Sequence, residues 1–192
     1  MARARQFDVE IATDAAVELF WDRGYTACSV RDLCEAMALQ PGSFYAAFGS
    51  KQACFRRALE RYLAREAERN GLLRGPGPEA IRAWLDTIAS PRRRHRGCLL
   101  VNTAVEGPHL DAPTRAFVAA RMAAMERFFT ACLGGGPDAH RGAALVSSTV
   151  IAIHVLARAG TTAPHLRSLA DQTLGTLQLP LLGGSRRSAR RA

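Results

Sequence analysis

Three kinds of residue in this 192-residue sequence could carry chemistry: five cysteines, one lysine and two clusters of arginine. The cysteines, Cys28, Cys34, Cys54, Cys98 and Cys132, are odd in number and contain no C-x-x-C pair, so neither a disulfide framework nor a zinc site is expected, and no cofactor is called for. Cys98 stands apart from the other four. It follows Arg92-Arg93-Arg94-His95-Arg96-Gly97 at an expected helix start, and both cations and helix N–H groups stabilise a thiolate, so its pKa is expected to be lowered. It is therefore a candidate sensor thiol, with a small buried apolar side chain as the alternative. A cysteine hydrolase built on Cys98 and a histidine is a further reading, but the sequence has no G-x-S-x-G motif and no Gly-rich phosphate loop, and no enzyme is expected. His109 and His154 have no partners at ligand spacing and are expected to be structural.

The formal charge of +9 points to a polyanion partner, but only the placement of charge says where such a partner would sit. Residues 1–62 are balanced: Arg3, Arg5, Arg23, Arg31, Lys51, Arg56, Arg57 and Arg61 face Asp8, Glu10, Asp14, Glu18, Asp22, Asp32, Glu35 and Glu60. The excess lies in Arg92, Arg93, Arg94 and Arg96 and in the tail residues Arg186, Arg187, Arg190 and Arg191. Lys51 is the only lysine among 26 basic residues. No run approaches the roughly 18 consecutive apolar residues of a membrane span, the N-terminus lacks the apolar stretch of a secretory signal, and 48% hydrophobic content is too high for a disordered chain. A soluble, cytoplasmic, globular protein is expected.

The elements that must position these residues are helices, because apolar residues recur at three- and four-residue intervals and nowhere alternate over strand length. Helices are expected at about 8–23, 29–37, 41–48, 50–70, 79–89, 97–105, 113–133, 138–159 and 164–179. In the first, Ile11, Ala15 and Leu19 with Ala12, Ala16 and Phe20 form the apolar stripe, and Gly24 stops the helix. Ser29 and Asp32 form a variant capping box for the second, and Pro41 suits the first position of the third. The segment 71–78 is rich in Gly and Pro and reads as a loop, and 183–192 reads as a disordered basic tail. The expected division is an N-terminal domain over 1–50, a linking helix over 51–70 and a larger helical domain over 71–182.

The second and third helices, joined by Ala38-Leu39-Gln40, make a helix-turn-helix, whose second helix is the one presented to the DNA major groove. Phe44 and Phe48 can anchor that helix in a core, leaving Gly42, Ser43, Tyr45, Ala46 and Ala47 for the other face, where small residues permit close approach. Lys51 adds a separate physical point. A cation in the first turn of a helix opposes the macrodipole by about a few tenths of a kcal/mol, and a bound phosphate would reverse that penalty.

Four stretches carry a resemblance: Ala16-Val17-Glu18-Leu19-Phe20, Arg23-Gly24-Tyr25, Ser29-Val30-Arg31-Asp32-Leu33, and Gln40-Pro41-Gly42-Ser43-Phe44-Tyr45-Ala46-Ala47-Phe48-Gly49-Ser50-Lys51. In this order they resemble the DNA-binding domain of the TetR/AcrR family of bacterial transcriptional regulators over residues 10–62. Three positions depart from that pattern: Ala38 where glycine is usual, Gln40 where a small hydroxyl residue is common, and Ala47 where an imidazole or aromatic group often stands. The resemblance implies an all-helical homodimer and a repressor bound to a palindromic DNA operator and released by a small molecule or electrophile. DNA contacts are implied for Ser29, Arg31, Gln40, Pro41, Gly42, Ser43, Tyr45, Ala46 and Lys51. For Arg31 an i,i+4 pair with Glu35 is the alternative.

The resemblance also implies a dimer formed by the helices at 138–159 and 164–179. There Leu145, Thr149, Ile153 and Leu156 give an apolar stripe, and Ala143, Ala144, Ser147, Ser148 and Ala152 permit close approach, with internal core alone as the alternative. An effector pocket is expected among the central helices, lined by Trp84, Cys98, Asn102, Phe117, Met125 and Phe128, with plain core packing as the alternative for the apolar ones. A helical interaction protein without specific DNA binding is the competing class.

Overall fold

A computed structural model describes residues 8–69, 75–90 and 96–179. The expected loop at 71–78 is described only from Gly75 onward, and Arg92 to His95 and the tail 183–192 lie outside the described residues. Among the described residues the chain forms α1 (Val9–Arg23), α2 (Val30–Met37), α3 (Pro41–Phe48), α4 (Lys51–Arg69), α5 (Pro78–Ile88), α6 (Leu99–Val105), α7 (Ala112–Cys132), α8 (Gly136–Arg158) and α9 (Ala163–Thr176), with a 3-10 turn at Gly107–His109 and no strand. All nine expected helices are present, with ends displaced by no more than three residues.

The helices divide into two compact units, and the division interleaves the sequence. The first holds the chain up to Glu66 together with Cys98–Ala119, and the second holds Ala67–Gly97 together with the chain from Ala120. Helix α6 and the start of α7, though distant in sequence from α1, therefore belong to the same unit as the helix-turn-helix.

In the first unit, α1 starts because the Asp8 carboxylate accepts the Glu10 N–H at 2.8 Å, and it stops at Gly24, whose φ of +81° a side chain would resist. Its buried face is Ala12, Thr13, Ala16, Val17 and Phe20. This corrects the expected stripe: Ile11 is 68% exposed, because the helix is rotated to bury Thr13 in its place. Burying that hydroxyl is tolerable since it donates to the Val9 carbonyl at 2.7 Å. Against this face packs Phe55 of α4, which meets Phe20 edge-on at 4.8 Å. A ladder of ion pairs runs alongside them, in which Arg57 and Arg61 hold Glu10 while Arg61 and Arg65 hold Asp14.

The second unit is built from α5, the later part of α7, α8 and α9. Its core includes Ile81, Trp84, Leu85, Phe129, Val146, Val150, Ile153 and Leu174. Trp84 lies 4.8 Å from Phe129 between ring centroids, and Thr149 meets Thr173 hydroxyl to hydroxyl at 2.8 Å between α8 and α9. Helix α8 lacks an unbroken apolar run, yet its most apolar 18 residues average a hydropathy of 1.3, so by length and composition it could cross a membrane. Its buried positions from Ala139 to Ala157 serve as a core stripe here, packed against α5 and α9.

Candidate nucleic-acid interface

The helix-turn-helix is set by local rules that hold in the structure. At the start of α2 the Ser29 hydroxyl accepts the Asp32 N–H at 3.1 Å while the Asp32 carboxylate accepts the Ser29 N–H at 2.8 Å. The Ser29 hydroxyl also donates to Asp32 Oδ2 at 2.5 Å, and this bond and the Ser29 N–H, with Arg23 at 3.3 Å, hold the Asp32 carboxyl below its ordinary range. The helix ends at Ala38, which takes the left-handed conformation at φ 54°, and the Ala38 and Leu39 N–H groups return to the Glu35 and Cys34 carbonyls at 3.2 and 2.9 Å. That conformation explains why glycine suits this position. Gln40 is extended, as the residue before a proline must be, and Pro41 opens α3.

Helix α3 is divided as its sequence requires. Phe44 and Phe48 are buried with ring centroids 5.4 Å apart. Gln40, Pro41, Gly42, Tyr45 and Ala46 are exposed, Ser43 is half-buried, and Tyr45 reaches 52% exposure, which is high for an aromatic side chain. No atom lies within 4 Å of where a Cβ on Gly42 would stand, so the first turn of α3 is bare on that side. Ser29 and Arg31 of the preceding helix start are also exposed, and α2 packs against α3. Arg31 makes the alternative contact as well: its Nε lies 3.1 Å from Glu35 Oε1. The pair is wide open to solvent, so it contributes about 0.3–0.5 kcal/mol and yields readily to a phosphate.

Lys51 has a partner that the sequence did not indicate. Its Nζ lies 4.2 Å from the centroid of the Tyr25 ring, which compensates the cation for its place in the first turn of α4. Tyr25 is buried against Phe55 at 4.9 Å, and burial, with the Asp111 carboxylate second, pushes its phenol up. The Tyr25 and Thr26 N–H groups donate in turn to Glu106, at the end of α6. Nothing local marks Glu106, which is 81 residues from Tyr25.

The residues expected to line an effector pocket fall into both units. Trp84, Met125 and Phe128 come together in the core of the second, where Trp84 and Phe128 are 6.1 Å apart. Cys98, Asn102 and Phe117 belong to the first, and Phe117 has the Arg56 guanidinium 5.2 Å from its ring. The expected lowering of the Cys98 pKa is reversed. Burial pushes its thiol up and Glu66 pushes it further, outweighing hydrogen bonds with Tyr62 and the Val101 and Leu100 backbone. Ile153, expected on the dimer stripe, is fully buried in the core, as is Ala143, and Ser147 is also buried. Leu145, Thr149 and Ala152 instead line an open groove with Leu169, Gln172, Thr173 and Thr176 of α9.

Comparison with known proteins places this geometry. Residues 12–58 match the family of bacterial regulatory proteins called the tetR family. The chain is 41% identical over 68 residues to the HTH-type transcriptional repressor ComR of Escherichia coli K12, and 43% identical over 65 residues to the repressor BdcR of the same organism. These matches cover 35% and 34% of the chain, and they span about a third of the length of the relatives, 32% and 33%. A cysteine mutant of the TetR family regulator CifR, solved with a 26-base-pair operator DNA, superposes with a TM-score of 0.78 at 27% identity, covering 91% of this chain and 98% of that one. Residues 12–58 thus match the tetR family of bacterial regulatory proteins, and the fold of the chain is similar to that of a solved TetR family regulator.

Proposed function

We propose that this chain is a DNA-binding transcriptional regulator of the bacterial cytoplasm, a repressor that binds a palindromic operator as a homodimer. The observation that carries this reading is α3: a helix fixed by Phe44 and Phe48 whose first turn and outer face, Gln40, Pro41, Gly42, Tyr45 and Ala46, are left to solvent. Small side chains at the start of such a helix let the backbone approach base edges, with Ser43 and Tyr45 as the polar contacts and Ser29, Arg31 and Lys51 on phosphates. CifR, its structural neighbour, was solved on operator DNA, which supports the same partner here.

The dimer would form through α8 and α9, along the groove that runs from Leu145 to Thr176. Two-fold symmetry then requires a palindrome with half-sites about one helical turn apart. Release needs no chemistry by the protein, only a ligand whose affinity differs between the DNA-competent and incompetent arrangements. With the Cys98 thiol pushed up, a non-covalent small molecule is the favoured signal over an electrophile.

The test is selection of duplexes from a random-sequence pool by the purified full-length protein, followed by titration of the selected duplex at several salt concentrations. A palindromic consensus bound with a steep negative salt slope is expected. Recovery of no consensus would leave a helical interaction protein as the better reading.

A further inference from the structure

The Glu106 carboxylate closes onto the turn between α1 and α2. The Tyr25 N–H donates to Oε1 at 3.0 Å and the Thr26 N–H to Oε2 at 2.8 Å. Gly24 makes room for it, since a Cβ there would stand 2.5 Å from Oε1. A carboxylate gripping two successive N–H groups fixes the orientation of the peptides it holds, and so the direction in which the Tyr25 side chain leaves the backbone. That side chain is the seat of the only lysine: Lys51 Nζ rests 4.2 Å from the ring centroid. Helix α6 thus reaches the start of α4 in two steps, through Glu106 to Tyr25 and through the Tyr25 ring to Lys51.

We propose that Glu106 is a positioning residue for Lys51, so that the place of α6 decides whether the Lys51 ammonium is held where a DNA phosphate can meet it. Any ligand that draws α6 away from the α1–α2 turn takes both acceptors with it, frees the Tyr25 peptide to rotate and unseats the cation. The phosphate end of this relay rests on the function proposed above, but the relay from Glu106 to Lys51 does not.

Lys51 itself supplies the probe. Reductive methylation of the full-length protein with 13C-formaldehyde labels one lysine side chain, apart from the N-terminal amine, and the Tyr25 ring current shifts that signal upfield. In Glu106→Ala the Lys51 signal is expected to move to the position it takes in Tyr25→Leu, where no ring remains; in Glu106→Gln, which keeps one carbonyl acceptor, it should move part of the way. A signal that stays at its wild-type position in folded Glu106→Ala overturns the proposal, and the near-isosteric Glu106→Gln decides in the same way if the alanine variant does not fold. On a selected duplex, Glu106→Gln and Lys51→Ala should each lower the salt slope by up to about one ion, with the double variant losing no more than Lys51→Ala alone. Additive losses overturn the coupling. A wild-type protein that binds no duplex defeats the function proposed above and leaves the lysine signal to decide the relay.

Discussion

Arg61 grips Asp14 with two parallel hydrogen bonds, Nε to Oδ1 and Nη2 to Oδ2, the latter at 3.0 Å, and so fastens α4 side-on to α1. This contact and the neighbouring Arg65 hold the Asp14 carboxyl below its ordinary value of 3.8 despite partial burial, which acts the other way. A carboxyl lowered in the folded state stabilises the fold above its unfolded pKa, and that stabilisation is lost as pH falls through the folded pKa. Melting temperatures of the wild type and Asp14→Asn should differ at pH 6, by an amount corresponding to about 1 kcal/mol or less at so open a site, and should converge as pH falls through the lowered Asp14 pKa. Parallel curves across that range would show that the pair contributes nothing through its charge.

Ala38 holds a left-handed conformation that costs an L-residue about 1 kcal/mol and glycine almost nothing. Ala38→Gly should therefore raise stability by roughly 0.5–1 kcal/mol, the remainder being offset by the greater freedom of glycine in the unfolded chain. Thermal denaturation measures this directly, and binding to a selected duplex should be unchanged.

Removing the cation from the start of α4 separates two contributions. Lys51→Ala should weaken binding to a selected duplex and reduce the magnitude of its salt slope by about 0.9. If affinity falls and the slope does not, Lys51 acts through packing on Tyr25 and not on phosphate.

The five cysteine thiols are all pushed up by burial, Cys54 to about 12, so none should react as a preformed thiolate at neutral pH. Their alkylation by iodoacetamide, followed by mass spectrometry, should rise steeply with pH and show no plateau below pH 9. Cys98, the one that is only half-buried by surface area, should lead through access alone. A pH-independent rate at Cys98 between pH 6 and 8 would restore the sensor thiol.

Leu145 and Val155 are exposed apolar residues on α8, 37% and 46% accessible, beside the groove shared with α9 or one turn beyond it. Leu145→Glu combined with Val155→Glu should give a monomer by analytical ultracentrifugation with a melting temperature close to that of the isolated wild-type fold, because surface changes of this kind alter stability little. Duplex affinity should fall with the loss of the second half-site. A double variant that sediments as a dimer would place the interface elsewhere.

Most of the helical scaffold was legible because its signals are local. Ser29 with Asp32, Pro41, Gly49 and Gly24 mark ends within a few residues of themselves, and α3 begins and stops where those rules put it. What went astray depended on partners distant in sequence. Ile11 and Thr13 lie on opposite sides of the positions Ala12, Ala16 and Phe20 that both stripes share; apolarity favours Ile11, yet the fold buries Thr13. The neighbouring arginines point to a lowered Cys98 thiol, whereas burial above all, with Glu66 of α4 adding to it, raises it. Ile153 carries the right periodicity for an interface, but the same periodicity faces the core of its own unit. Glu106 gave no sign at all, since its partners are backbone N–H groups that any residue could present.

The grip of Glu106 on the turn after Gly24 bears on how this architecture can be cut and recombined. A fragment ending near residue 70, the tidy boundary by sequence, would take the helix-turn-helix away from the acceptors of two of its own N–H groups and from the segment Cys98–Ala119 that completes its unit. Chimeras that exchange readers between relatives would need to transplant two separate stretches of chain together. In that sense the unit that holds the helix-turn-helix is discontinuous, and it is larger than the motif that reveals it.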